Sequence, residues 1–185
     1  MKDNNQETPK TPSKQPRHNH SIDLYAAQCG KCFKWRLIDT QEEFEEIRSK
    51  LIDEPFYCDR KPDVSCENPA DIEYDATRTW VIDKPNTPKT PEGFKRTLVL
   101  RKDFSKLDAY FITPTGKRLR TRNEMASFIK ANPEFKDVSP LDFDFVSPKI
   151  MEDTIPDYVV RKASSNGNGS GRSKALKEKS ESNYQ

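Results

Sequence analysis

The sequence predicts an α+β protein. A small antiparallel sheet is backed by one helix, preceded by a smaller cysteine-bearing module and flanked by disordered tails. Three observations predict it. Only 32% of the 185 residues are hydrophobic while 34% are charged, and the mean hydropathy is −0.98. Compact domains use roughly 45–50% apolar residues, glycine included, so part of this chain is expected to lack a core. All four cysteines and both tryptophans fall within residues 21–85. Two β-rich runs, followed by apolar residues at helical spacing, fall between residues 96 and 129.

The elements follow in order. Residues 1–20 are polar and proline-rich and are expected to be a disordered tail. They hold no apolar stretch of the kind a secretory signal needs. No run in the chain approaches the roughly 20 apolar residues that span a bilayer, so no membrane partner is expected. Residues 21–83 form the first module. Within it Phe44, Ile47 and Leu51 share one helical face, and acids crowd the start of that helix, where the macrodipole favours them. Residues 84–90 carry Pro85 and Pro88, with Pro91 next, and predict an extended spacer.

Residues 91–148 form the second module. Arg96–Arg101 and Asp108–Thr113 read as strands. Thr113-Pro114-Thr115-Gly116 fits a type I turn, after which Lys117-Arg118-Leu119 returns as a short strand. Thr121 and Glu124 have the spacing of a capping box, and Met125, Phe128 and Ile129 share the buried face of the helix that follows. Asn132-Pro133 ends it. Residues 149–185 are expected to be a flexible tail. Charge is segregated between the modules. Residues 21–85 carry 9 Lys and Arg against 15 Asp and Glu, whereas residues 86–130 carry 11 against 4.

Cys29-Gly30-Lys31-Cys32 is a C-x2-C knuckle, a tight turn that can present two thiolates to one ion. Cys58 and Cys66 would complete a tetrahedral site for one structural zinc; four sulfurs leave no open position for catalysis. Without a secretory signal the thiols are expected to stay reduced. The plainer alternative is four unliganded thiols. His18 and His20 are further candidate ligands, but they sit in the polar tail.

Gln28-Cys29-Gly30-Lys31-Cys32-Phe33-Lys34-Trp35-Arg36-Leu37, then Phe56-Tyr57-Cys58 and Cys66, resembles the CW-type zinc finger over roughly residues 21–80. The resemblance implies zinc at the four cysteines and an aromatic cage for a methylated lysine of a histone tail, held by cation–π attraction. Trp35 matches one cage wall. Tyr25 is the nearest aromatic to the other, one place out of register. The alternative for Trp35 is simple packing beside the metal.

Pro91-Glu92-Gly93-Phe94, Asp108-Ala109-Tyr110, Thr113-Pro114-Thr115-Gly116-Lys117, Leu119-Arg120-Thr121 and Asp142-Phe143-Asp144-Phe145 stand in the order found in the methyl-CpG-binding domain. The second module therefore resembles that family, in a combination that looks like its plant members. The resemblance implies that Arg101 and Arg120 fork onto guanine edges. It implies that Asp108 braces Arg101, that Tyr110 orders water at the methyl groups, and that Lys102, Lys106, Lys117 and Arg122 meet phosphates. The alternative is that these charges only solvate a sheet. Two departures bear on methyl recognition: the Lys102–Lys106 loop is shorter than in animal members, and Leu107 replaces a tyrosine.

The expectation is thus a nuclear, non-enzymatic chromatin protein that regulates transcription. It binds double-stranded DNA at CpG sites with weak dependence on cytosine methylation. The rival is an adaptor that uses both modules for histone-tail or other chromatin-protein contacts.

Overall fold

A computed structural model of the chain describes residues 21–165. The tails expected at 1–20 and beyond residue 165, with His18 and His20, lie outside the described residues. The first module opens with a hairpin of β1 (Tyr25–Gln28) and β2 (Trp35–Ile38), joined through the knuckle. Helix α1 (Gln41–Ser49) follows, capped by the Thr40 hydroxyl, which accepts from the Glu43 amide at 3.1 Å. Its inner face adds Ile47 to a core with Ala27, Ile38 and Phe56, and Phe44 and Leu51 pack at the margin. Residues 50–80 are mostly turns, as expected of a chain held by a metal site rather than by a large core.

The second module is a three-stranded antiparallel sheet of β4 (Lys95–Leu100), β5 (Leu107–Ile112) and β6 (Arg118–Leu119), in the order β4-β5-β6. Its strands begin and end within a residue of those the sequence predicts. Alternation sets the two faces. Leu107, Ala109, Phe111 and Leu119 are buried, while Asp108, Tyr110, Ile112 and Arg118 stand on the opposite face. Helix α2 (Arg122–Ala131) covers the buried side with Met125 and Phe128. Phe94 and Phe143 complete this core through edge-on ring contacts at 5.0–6.2 Å. At the start of α2 the Thr121 hydroxyl accepts from the Glu124 amide, but the Glu124 carboxylate accepts from Arg120 N rather than from Thr121, one residue earlier than a capping box requires.

The connection between modules differs from the expected free spacer. Residues 84–90 lie along α1. The Asn86 amide donates to Arg48 O at 2.8 Å, the Asn86 side-chain oxygen accepts from Ile52 N, and Thr90 N donates to the Glu45 carboxylate at 2.8 Å. Just before the spacer, β3 (Val81–Ile82) pairs with β7 (Lys149–Ile150), so residues 149 and 150 belong to a sheet and not to a flexible tail. The Thr154 hydroxyl accepts from Trp80 N and donates to Met151 O, both at 2.8 Å. A short helix α3 (Asp157–Ser165) follows.

A buried ion triad joins the modules. The Asp83 carboxylate meets Arg48 of α1 at 2.6 Å and Arg96 of β4 at 2.5 Å, with all three side chains at most 9% exposed. Arg48 also donates to Pro88 O, and Arg96 to Val146 O, both at 3.0 Å. Proline stiffness predicts separation, but these ties make residues 84–90 a strap.

Candidate metal centre and nucleic-acid interface

The four cysteines converge. Cys29 and Cys32 come from the knuckle between β1 and β2, Cys58 from a 3-10 turn at Cys58–Arg60, and Cys66 from the loop beyond. Their sulfurs all lie within 4.8 Å of one another. Cys29 and Cys66 are 3.8 Å apart, and Cys32 and Cys58 are 3.6 Å apart. A tetrahedron with Zn–S bonds of about 2.3 Å has edges of about 3.8 Å. The set therefore fits one zinc with no ligand position left open, and the chain carries one structural Zn2+ there. Burial acts to raise the Cys29 thiol, but peptide N–H groups of Cys32, Lys31 and Cys58 outweigh it and bring it down to about 6. The hydrogen bond that the Cys66 thiol donates to Cys32, then burial, pushes Cys66 up to about 12. Four sulfurs this close cannot all ionise without a cation between them, and a dication ionises them by binding.

Two basic residues of the Lys-Trp-Arg run hold this centre. Arg36, buried, donates to Cys58 Sγ at 3.2 Å and to the Asp71 carboxylate at 2.9 Å. It also reaches the carbonyls of Ser65, Asn68 and Pro69. Lys34 donates to Cys66 O at 2.7 Å and Asn68 O at 2.9 Å. These donors organise the loop that carries the fourth ligand and offset thiolate charge. The structural role of Arg36 escapes sequence reading because its five partners lie 22–35 residues away. Gly30 sits where a Cβ would meet the Tyr57 ring at 3.2 Å, and its amide donates to Phe56 O. That close approach is what the knuckle glycine serves.

Trp35 and Tyr25 do not form a ring pair. Tyr25 rests on Phe44 with centroids 5.1 Å apart, as part of the packing at α1. The ring partner of Trp35 is Trp80 at 5.0 Å, which in turn meets Tyr74 at 5.1 Å. Trp80 and Tyr74 lie 45 and 39 residues after Trp35 and carry no local signal. A cavity of about 440 Å³ lies between β1, α1 and β3, and Tyr25, Trp35 and Trp80 all line it.

On the second module, the exposed face of β5 and the ends of β4 and β6 gather Arg101, Asp108, Tyr110 and Arg120. Asp108 accepts from Arg101 Nε at 3.0 Å and from Nη2 at 2.9 Å, a two-pronged brace. Arg101 beside it holds the Asp108 carboxyl below the usual range. The guanidinium of Arg120 stands 5.5 Å from the Tyr110 ring, and that of Arg118 only 3.4 Å from it. Arg118 was not among the expected site residues. Lys102 and Lys106 are exposed in the β4–β5 loop, Lys117 in the β5–β6 turn and Arg122 at the start of α2. The β4–β5 loop is tight. Arg101 N donates to Lys106 O, and Phe104, at φ 59°, turns it back. Leu107 is wholly buried and has no place on this face. A guanidinium fixed in one plane on an exposed sheet can donate two parallel hydrogen bonds to a pair of acceptors.

The family model "Methyl-CpG binding domain" matches residues 80–153, and "CW-type Zinc Finger" matches residues 25–72. The first match takes in β3, the strap and β7 as well as the three-stranded sheet. Among relatives, "Methyl-CpG-binding domain-containing protein 4" of Arabidopsis thaliana is 64% identical over 135 residues, covering 73% of each chain. "Methyl-CpG-binding domain-containing protein 1" of the same plant is 58% identical over 140 residues, covering 76% of this chain and 69% of the relative. "Methyl-CpG-binding domain-containing protein 3" is 44% identical over 136 residues, covering 71% of this chain and 80% of the relative. With the domain model matched across β3 to β7 and relatives this similar, the chain belongs to the methyl-CpG-binding domain protein family and carries a CW-type zinc finger ahead of that domain.

Proposed function

We propose that this protein is a nuclear, non-enzymatic DNA-binding regulator of transcription that reads CpG-containing duplexes with weak dependence on methylation. One observation carries the reading. Arg101 is braced by Asp108 on an exposed face that also presents Tyr110 and Arg120. In this reading the two arginines take guanine edges in the major groove, while Lys102, Lys106, Lys117 and Arg122 contact phosphates. Residues 86–130 hold 11 cationic against 4 acidic side chains, and all the cations but the buried Arg96 are exposed to supply the sequence-independent attraction. Arginines read guanine whether or not the cytosine is methylated. Methyl selectivity then rests on packing around Tyr110 and ordered water. A fully buried methyl group contributes about 0.8 kcal/mol, and tenfold needs about 1.4 kcal/mol. Leu107 adds nothing there, and the loop is short. Competition at fixed salt among duplexes with unmethylated, hemimethylated and fully methylated CpG should show less than about tenfold preference. No binding to any duplex would overturn the reading. A hundredfold preference would overturn its methylation clause.

A second reading, a chromatin adaptor whose finger holds a histone tail, is favoured by the cavity beside Trp35 and Trp80. The indole N–H of Trp80 is buried and has no partner among the described residues. Tyr25, Trp35 and Trp80 give that cavity aromatic walls, which suit an alkylated cationic side chain. Titration with methylated and unmethylated tail peptides tests it, and equal, negligible binding of both would reject it.

A further inference from the structure

The two arginines proposed to read guanine are held differently. Arg101 has its carboxylate. Among the described residues, no carboxylate forms an ion pair with the guanidinium of Arg120; its ring neighbour is Tyr110, at 5.5 Å, and Asp108 acts on it only at longer range. Its backbone is fixed instead, through Arg120 N to the Glu124 carboxylate at 2.6 Å. The ring is also approached by Arg118, whose guanidinium stands 3.4 Å from the centroid, the distance of a planar stack. Register explains the geometry. Ile112 pairs with Arg118 and Phe111 with Leu119, so Tyr110 stands opposite Arg120 and diagonal to Arg118. Leu119 enters the core, leaving Arg118 and Arg120 on the exposed face. The long stem of Arg118 reaches back across that diagonal to lie on the ring.

We propose that Arg118 is a specificity-determining positioning residue: stacked on Tyr110, it fixes the ring that sets where Arg120 meets a guanine edge. This rests on the DNA-reading function proposed above. The stack does for Arg120 what the carboxylate does for Arg101, and it does so without neutralising charge. Among the described residues neither cation forms an ion pair with a carboxylate, so this end of the face keeps positive charge for phosphates. A guanidinium is needed for this, because its plane matches the ring and an ammonium does not. A simple phosphate contact at position 118 would need only the charge. The two roles therefore separate under Arg118→Lys.

Dissociation constants of the full zinc-loaded chain are to be measured across a salt series. The duplexes are one CpG duplex and one in which that step is replaced by TpA. The variants are Arg118→Lys and Arg118→Ala. The stack predicts that Arg118→Lys keeps the salt slope yet loses about fivefold of the CpG preference. Arg118→Ala should lose the same preference and flatten the slope by about one charge. In the free protein, the Arg118 side-chain protons should show an upfield ring-current shift that vanishes in Tyr110→Leu. A parent that prefers CpG and an Arg118→Lys variant with the same preference would overturn the positioning role and leave the DNA reading standing. A parent with no CpG preference would overturn both.

Discussion

Stripping zinc from the reduced protein is expected to unfold the finger and loosen the module behind it. The apolar core of the finger is four buried residues with three at the margin, too little to hold about 50 residues of mostly turns. Metal binding in small fingers supplies on the order of 10 kcal/mol of folding free energy. Arg36 and Lys34 tie the Cys66 loop to β2, and one of these ties ends on the Cys58 sulfur itself. Loss should spread. Arg48 of α1 shares Asp83 with Arg96 of β4, and the strap hangs on α1. Near-UV circular dichroism of Trp35 and Trp80, followed during chelation under reducing conditions, is expected to collapse and to return on adding one equivalent of zinc. A chelated protein that kept this signal would show that the four cysteines do not carry the fold.

Asp83→Ala should destabilise the whole chain by about 3–5 kcal/mol, the cost of breaking a buried ion pair. Two guanidiniums, each 3% exposed, would then face each other with no carboxylate between them. The Nε atoms of Arg48 and Arg96 already lack partners among the described residues, so the variant has no spare acceptor to turn to. Domains of this size are stable by about 5–15 kcal/mol, so the loss is a large fraction. Urea denaturation should show a lowered midpoint. The exposed Asp103→Ala, which removes only a turn contact with Ser105, should move the midpoint little. Equal midpoints for Asp83→Ala and the parent would mean that the triad does not join the modules.

What the sequence disclosed was what local chemistry encodes. The knuckle, the alternating strands, the turn at Gly116 and the helix after Thr121 depend on neighbours a few residues apart. Motif order then placed Arg101 and Asp108 together, seven residues apart across a tight loop. The contacts that were hidden are long-range. Asp83 lies 35 residues from Arg48 and 13 from Arg96, and nothing in a proline-rich run announces that it lies on a helix. Arg96 reads as one more surface cation among many, yet it is 4% exposed. Tyr25 is close in sequence to the expected cage, but strand register sets it opposite Ile38 while Trp35 lies opposite Gln28. Trp35 instead finds Trp80 because β3 is brought in by β7 from the far end of the chain.

The central claim is that the exposed face of the β4–β6 sheet binds DNA through Arg101 and Arg120. The most direct measurement is the affinity of the full chain for a CpG duplex and for one lacking that step, across a salt series, for the parent, Arg101→Ala, Arg120→Ala and Lys117→Ala. Each arginine variant should lose about five- to a hundredfold on the CpG duplex and little on one lacking that step. Lys117→Ala should weaken every duplex alike and flatten the salt dependence. Arginine variants that bound the CpG duplex as tightly as the parent would contradict the account.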